Sequence, residues 1–176
     1  VLNILKPGKD YIICLIAATC GLRIGEILGL TWSDIDVVNK KITVNKQWKK
    51  LKDGSYGHGP VKRKNSNRIV PVPVNTLNEL LKYKNNYPID ISNRIIPDYS
   101  NSSVSNRIRR KLLKQGHNIS VHDLRHTYGT MLIANGTDFK TAAQLLGHDV
   151  EQTMKTYSHV TDDMMNRVTD TINIIF

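Results

Sequence analysis

Residues 122–134 read His-Asp-Leu-Arg-His-Thr-Tyr-Gly-Thr-Met-Leu-Ile-Ala, and Asn135-Gly136 follow them. Apolar side chains recur here at the three- and four-residue spacing of one helical face, and asparagine followed by glycine is typical of a helix end. The stretch therefore predicts an α-helix from about His122 to Ala134. Its predicted core face consists of Leu124, Tyr128, Met131 and Leu132. The predicted opposite face carries His122, Arg125 and His126, which are the first candidates for a functional site.

Two histidines four residues apart with an acid between them also imitate the zinc-binding pattern HExxH. Two features disfavour that interpretation. Arg125 would place a permanent cation on the ligand face, and Asp123 is shorter than the glutamate that acts as the base in that pattern. A face of two histidines and an arginine suits a phosphate better, because the guanidinium offers a planar fork of donors. We therefore expect no metal here, and a zinc hydrolase is kept only as an alternative.

Two further segments carry residues of the same chemical kind. In residues 20–26, Cys-Gly-Leu-Arg-Ile-Gly-Glu, Arg23 stands at a predicted helix start and can face Glu26, although a local ion pair explains this segment on its own. Leu146-Gly147-His148 places a histidine after a predicted helix end, and Tyr157 follows nine residues later. A tyrosine hydroxyl, with a pKa of about 10, attacks poorly without a base and an activated electrophile. Arginines that neutralise a phosphodiester would supply that activation.

The net charge is strongly positive and unevenly distributed. The chain of 176 residues has 25 lysines and arginines against 15 acids, a formal charge of +10. Lys46–Arg68 has eight basic residues and one acid, and 106–116 has five basic residues and no acid. Clustered basic charge favours nucleic acid as the partner, and a solvated face without a partner is the alternative. The candidate DNA contacts are Lys64, Arg68, Arg107, Arg109 and Arg110.

Composition excludes several other classes of protein. At 40% hydrophobic residues the chain is not a disordered basic tail, and its longest apolar run, residues 11–18, is too short to span a membrane. Cys14 and Cys20 lack CxxC spacing, which argues against a disulfide framework or a cysteine-rich zinc site. No signal peptide is recognisable, so we expect a cytoplasmic protein. Because the first residue is Val1 and not methionine, we expect a fragment of a longer chain.

The order of the elements predicts an α+β fold that is mainly α-helical. Helices are expected at residues 9–19, ended by Gly21, and at about residues 24–30. Strand and turn signals in residues 34–73 predict a small three-stranded antiparallel sheet with a long basic hairpin. Further helices are predicted to start at Asn75, at Ser102 or Ser103, at Asp138, at about Val150 and at Asp162. The last of them carries an apolar stripe of Met164, Val168, Ile172 and Ile175.

In their order and spacing, these motifs resemble the catalytic domain of the tyrosine recombinases, the phage-integrase family of DNA recombinases. The resemblance covers nearly the whole chain, and it rests on the lysine hairpin and on residues 19–26 (TCGLRIGE), 30–36 (LTWSDID), 122–126 (HDLRH), 146–148 (LGH) and 157–160 (YSHV). It implies the tyrosine-recombinase catalytic-domain fold. It also implies a catalytic set of Arg23, Lys62, His122, Arg125, His148 and the nucleophile Tyr157. Glu26 and His126 would support this site.

The lysine hairpin departs from the family pattern at one position. The family commonly reads Lys-Thr-x-x-Ser-x-Arg, whereas residues 62–68 read Lys-Arg-Lys-Asn-Ser-Asn-Arg. Ser66 and Arg68 set the register on Lys62 as the matching lysine. Because an arginine replaces the threonine, Lys64 is kept as the alternative.

The resemblance implies a DNA transesterification that needs neither a metal nor a nucleotide cofactor. Tyr157 would form a 3′-phosphotyrosine and release a 5′-hydroxyl, with His122 as general base and Lys62 as general acid. The expected partners are double-stranded DNA with recombination sites, three further copies in a homotetramer on that DNA, and accessory DNA-bending proteins; the isolated chain is expected to be a monomer. Residues 1–176 would be the catalytic domain alone, without the family's N-terminal core-binding domain and any arm-binding domain. The motifs are most similar to integrases of phages and conjugative elements, and a type IB topoisomerase or an inactive DNA-binding module are the alternatives.

Overall fold

The structure is a computed structural model that describes residues 2–61, 66–88, 91–98 and 100–161. Its helices are α1 (Lys9–Cys20), α2 (Ile24–Gly29), α3 (Val74–Asn86), α4 (Asn101–Leu113), α5 (Val121–Ala134) and α6 (Phe139–Leu146). Residues 150–161 are also helical and are called α7. Short 3₁₀ turns cover Leu2–Ile4 and Trp32–Asp34. Within these ranges, no helix has both the length and the apolar character that crossing a membrane requires.

Helix α1 lies at the centre of the fold and packs against α2, α3 and α5. It is buried on almost every side, because its sequence is apolar all round and not along one stripe. Gly21 ends the helix with a left-handed φ of 66°, as the sequence predicted. A side chain at Gly21 would also collide with the ring of Tyr128, so this position requires glycine on two grounds.

A three-stranded antiparallel sheet in the order β1-β2-β5 confirms the small sheet that the sequence predicted. The strands within the described ranges are β1 (Ile35–Asp36), β2 (Lys41–Val44), β3 (Lys46–Lys50), β4 (Tyr56–Pro60) and β5 (Arg68–Pro71). Ile42 on β2 lies opposite Val70 on β5, and both side chains face the core. Pro71 lacks an N–H, which suits the position of β5 at an edge of the sheet.

The basic hairpin forms a separate two-stranded unit of β3 and β4. It packs on α2, where Gly25 and Gly29 leave room for the backbone of β3. A Cβ atom at Gly29 would lie 2.9 Å from the Cα atom of Gln47 and from the backbone nitrogen of Trp48. The two glycines therefore allow the hairpin to pack closely against α2, the helix that carries Glu26.

The helix starts were predicted correctly for α6 and placed too late for α3 and α4. The side chain of Asp138 caps α6, as expected. Helix α3 begins at Val74, one residue before Asn75, because the fixed φ of the preceding proline suits a helix start. Helix α4 is capped by Ser100, two residues before Ser102, and the Ser100 side chain accepts a backbone N–H of the first turn.

Buried apolar residues form a large cluster around α1 and a smaller one between α5, α6 and α7. The small cluster contains Ile133, Ala142, Leu146, Tyr157 and Val160. The prediction that Met131 is buried was wrong, since its side chain is 57% exposed. Helix α5 packs against both α1 and α6, and this turns Gly129 and Ile133 inward instead. The predicted last helix, from Asp162 onward with its apolar stripe, lies outside the described residues.

Candidate active site

Glu26 on α2 lies among three arginines. Its carboxylate accepts hydrogen bonds from the backbone nitrogen of Arg23 at 2.8 Å and from the Arg23 guanidinium at 3.0 Å, so the predicted pairing is observed. Arg68 adds two parallel hydrogen bonds of 3.0 and 2.9 Å, and Nη1 of Arg125 lies 3.8 Å from Oε2. Burial raises the pKa of Glu26, but the bonds and charges of Arg68 and Arg23 outweigh it and hold the pKa below its usual value. The carboxylate is therefore ionised at neutral pH and orients the guanidinium groups around it.

Arg68 does not reach the surface, where we expected it to contact DNA. Its side chain is only 2% exposed, because position 68 points inward from β5, opposite Val44. Its Nε donates to the carbonyl of Leu145 at 2.7 Å, and Nη1 donates to the carbonyl of Ser66 at 3.1 Å. Arg68 therefore links the sheet to α2 and to the end of α6, and it holds Glu26 from inside the protein.

Arg125 is also buried, so the predicted face of His122, Arg125 and His126, opposite the core stripe of α5, is not open to solvent at this position. The residue is 1% exposed. Its Nη1 donates to the carbonyl of Gly21 at 2.6 Å, and Nη2 donates to the carbonyl of Leu146 and, at 2.9 Å, to Nε2 of His148. Burial, reinforced by Arg23, lowers the pKa of Arg125 to about 9, which leaves the group charged at neutral pH. The carbonyl of Gly21, just beyond α1, and that of Leu146, the last residue of α6, thus hold the guanidinium in place without neutralising its charge.

His148 follows Gly147, which ends α6 with a left-handed φ of 61°. Arg23 Nη2 donates to the carbonyl of Gly147 at 3.0 Å and so draws two predicted site segments together. Because Nε2 of His148 accepts from Arg125, we assign the proton of the neutral ring to Nδ1. Burial and the charge of Arg125 lower the pKa of His148 to about 3. Nδ1 is buried and finds no hydrogen-bond partner among the residues that the structure describes, so it is an unsatisfied N–H donor.

A cleft of about 160 Å³ brings four of the predicted residues together. Its lining includes Arg23, His122, His126 and His148. Gly147 and three polar residues that were not predicted as site residues also line it: Ser66, Gln152 and Thr156. Of these, Ser66 lies inside the lysine-hairpin motif, while Gln152 and Thr156 carry no motif and are one helical turn apart on α7. Within the described ranges, no group of three or more His, Cys, Asp or Glu residues is arranged to hold a metal ion.

Tyr157, the predicted nucleophile, lies on α7 but does not line this cleft. It is 1% exposed and belongs to the small apolar cluster. Its hydroxyl lies 3.4 Å from Nδ1 of His126, and burial raises the pKa of the phenol against a smaller opposing effect of Arg125. His122, the predicted base, stacks edge-on against His126 with ring centroids 4.4 Å apart. Burial, the neighbouring His126 and Arg125 lower the pKa of His122. The ring that contacts the hydroxyl is therefore His126.

The predicted lysines Lys62 and Lys64 lie outside the described residues. The chain is described up to Val61, directly after β4, and again from Ser66, which lines the cleft. The choice between the two lysines therefore stays a prediction.

The basic face of α4 is divided between a cluster of ion pairs around two buried carboxylates and a part that is exposed. Arg107 lies 2.6 Å from both Asp10 and Asp98, although we expected it to contact DNA. Burial raises the pKa of each of these carboxyls, but their hydrogen bonds to Arg107 and to lysines hold the pKa below its usual value. Arg107 thus joins α4 to α1, and Arg109 and Arg110 are exposed.

A protein family, several curated proteins and several solved structures match the chain. The model of the phage integrase family matches residues 4–164. The chain is 29% identical over 199 residues to a XerC-like tyrosine recombinase of Caldanaerobacter subterraneus, covering 98% of this chain and 51% of that protein. It is 27% identical over 173 residues to the integrase of Staphylococcus phage L54a, with coverages of 85% and 47%. The Tn1549 transposon integrase in complex with transposon right end DNA has a TM-score of 0.74 at 20% identity, with coverages of 96% and 62%.

The fold is that of the tyrosine-recombinase catalytic domain, which confirms the predicted fold class. The chain belongs to the phage integrase family, as its motifs implied. It spans about half the length of the curated relatives that it matches.

Proposed function

We propose that this chain is the catalytic domain of a site-specific DNA recombinase, from a phage or another mobile element, that cleaves and rejoins DNA through a 3′-phosphotyrosine. The observation that carries the proposal is the cleft where Arg23 and His148 lie beside the buried Arg125, with Tyr157 on the adjoining helix. The tyrosine recombinases and the phage integrase among its relatives support it. The family's core-binding and arm-binding domains belong, in this proposal, to chain outside residues 1–176.

Arg23 and Arg125 neutralise the charge that builds on the non-bridging oxygens of the attacked phosphate. Glu26 and backbone carbonyls hold both guanidinium groups in place before any ligand binds. Donors that are fixed in advance stabilise a transition state without a cost of reorganisation, and this is the largest contribution in many enzymes. His148 adds a neutral N–H donor to the same oxygens.

In the chemical step, a bond forms between Oη of Tyr157 and phosphorus while the bond from phosphorus to the 5′-oxygen breaks. The hydroxyl proton passes to a histidine of the cleft, for which His122 is suited because its lowered pKa keeps the ring neutral. Lys62 protonates the leaving 5′-oxygen, and Lys64 is the alternative donor. The phosphotyrosine stores the energy of the broken bond, so a 5′-hydroxyl from a partner duplex can reverse the step.

The proposed partner is double-stranded DNA with recombination sites. Exposed Arg109 and Arg110, together with the basic hairpin, are the proposed contacts to its phosphates. The DNA in the Tn1549 integrase structure supports this choice of partner. In this proposal, the chain is a monomer in isolation and forms a homotetramer on DNA, with accessory DNA-bending proteins as further partners. The reaction takes place in the cytoplasm and needs no metal or cofactor.

A nicked suicide substrate built from the attachment site of the element tests this function. We expect a covalent protein–DNA adduct that forms in the presence of EDTA, and joining of the cleaved strand to a second duplex. An adduct without joining between duplexes, together with relaxation of a supercoiled plasmid, would identify a type IB topoisomerase instead. Tight DNA binding without any adduct would identify an inactive DNA-binding module.

A further inference from the structure

Two residues of α5 form the surface against which the Tyr157 hydroxyl rests. Nδ1 of His126 lies 3.4 Å from Oη, at hydrogen-bond distance. Gly129 lies three residues further along the helix, and a Cβ atom there would come within 2.2 Å of Oη. The backbone at Gly129 is ordinary α-helix, so the conformation of the chain does not require glycine there. The space that the tyrosine occupies does require it.

His126 contacts this hydroxyl and also lines the cleft. The histidine lines the cleft together with Arg23 and His148, whereas Tyr157 does not and is 1% exposed. Burial raises the pKa of the phenol, which keeps the hydroxyl protonated. We assign this hydroxyl as the donor and Nδ1 of His126 as the acceptor, with the ring proton on Nε2. A phosphate held by Arg23 and His148 would lie in the cleft, which His126 lines and the hydroxyl itself does not.

We propose that His126 and Gly129 form a seat that holds the Tyr157 hydroxyl out of the phosphate cleft in the DNA-free protein, with His126 as a positioning residue for the nucleophile. The proposal rests on the proposed function only in taking Tyr157 as the nucleophile. The seat has two parts. One is the hydrogen bond between the hydroxyl and His126, and the other is the space beside Gly129, which the hydroxyl occupies because glycine has no side chain. Each half can therefore be removed by a substitution that leaves the other half intact.

Two substitutions disrupt the seat, and two others serve as controls. Gly129→Ala places a methyl group where the Tyr157 hydroxyl lies. Because alanine is a better helix former than glycine, the substitution should not weaken α5 itself. His126→Phe keeps the ring but removes the nitrogen that accepts the hydroxyl, whereas His126→Asn restores a polar atom attached to Cγ, as Nδ1 is. Thr127→Ala changes an exposed neighbour on α5 and should leave the seat unaltered.

Nitration of tyrosines by tetranitromethane, mapped by peptide mass spectrometry, measures whether the hydroxyl is held. The assay uses the whole chain without DNA, and Tyr87, which is 43% exposed, is the internal reference. In the wild type and in Thr127→Ala, Tyr157 should react much more slowly than Tyr87. His126→Phe should raise its reactivity about fivefold, the change expected from the loss of one hydrogen bond, and His126→Asn should restore protection. Gly129→Ala should bring Tyr157 close to the reactivity of Tyr87.

Tyr128 distinguishes loss of the seat from general unfolding, because it is partly buried on the same helix and faces Gly21. Its nitration should stay unchanged in every variant. Reaction of Tyr157 at the rate of Tyr87 in the wild type, or no response of Tyr157 to either disrupting substitution, would overturn the seat. A DNA adduct at Tyr157 in such a protein would still support the proposed function, whereas a protected Tyr157 that never forms an adduct would support the seat and contradict the function.

Discussion

Replacing Glu26 with glutamine should destabilise the protein strongly, although the two side chains have the same shape. The change removes the only negative charge that the structure places against Arg68, and it also removes the carboxylate that faces Arg23 and Arg125. Arg68 is 2% exposed, so its charge would be left inside the protein without compensation. Breaking a buried ion pair in this way costs about 3–5 kcal/mol, a large share of the roughly 5–15 kcal/mol that stabilises a typical domain.

Urea denaturation of both proteins at a series of pH values measures this loss and its origin. Pairing holds the pKa of Glu26 below its ordinary value of 4.5 in the folded state. A carboxyl whose pKa is lowered by folding stabilises the protein above its unfolded pKa, and this contribution disappears as the pH falls through the folded pKa. The difference in the free energy of unfolding between wild type and Glu26→Gln should therefore be largest at neutral pH. It should shrink as the pH falls below 4.5, the ordinary pKa of a glutamate, and through the lower pKa of Glu26 in the folded protein.

Glu79→Gln is the matched control, because Glu79 forms an ion pair of 2.7 Å with Lys82 on the surface of α3. The side chain of Lys82 is 69% exposed, and solvent-exposed ion pairs contribute little to stability. We expect Glu79→Gln to lower the free energy of unfolding much less than Glu26→Gln does at neutral pH. Equal losses in the two variants would refute the claim that Glu26 compensates buried arginines.

Three further predictions concern the chemistry and the DNA contacts. Arg125→Lys should reduce cleavage of the suicide substrate by about 10²–10³-fold, because one ammonium cannot replace a fork that binds two carbonyls and, in the proposed mechanism, a phosphate; near-normal cleavage would contradict that role. Replacing Arg109 and Arg110 with alanine should make the slope of log K against log salt less steep by about 0.9 per lost contact, and an unchanged slope would show that they do not contact phosphates. A substrate with a 5′-bridging sulfur should restore cleavage by Lys62→Ala, since a thiolate leaves without protonation, and the same rescue limited to Lys64→Ala would assign the general acid to Lys64.

The features of the fold that depend on residues adjacent along the chain could be predicted from the sequence. Gly21 and Asp138 mark a helix end and a helix start by their local chemistry, and both were placed correctly. The separation of the basic hairpin from the sheet was not foreseen. It depends on the contact of β3 with Gly25 and Gly29 on α2, which local patterns in the hairpin itself do not encode.

The motifs identified most residues that line the cleft, but they gave no indication of which side chains are buried. Charged residues are almost never fully buried unless they are paired, so an exposed Arg125 and Arg68 were the natural expectations. The structure buries both, because Glu26 and carbonyls contributed by distant segments of the chain satisfy their donors. The contact between Tyr157 and His126 likewise joins two helices and has no signature in either motif.

The most direct test of the account is to identify the residue that becomes joined to DNA. The adduct trapped on the suicide substrate is digested with nuclease and protease, and the modified peptide is sequenced by mass spectrometry. We predict a phosphotyrosine at Tyr157, with no adduct from Tyr157→Phe, undiminished adduct from Tyr128→Phe, and nearly unchanged DNA affinity in both variants because only a hydroxyl is lost. A phosphotyrosine at any other position, or an adduct that persists in Tyr157→Phe, would contradict the account.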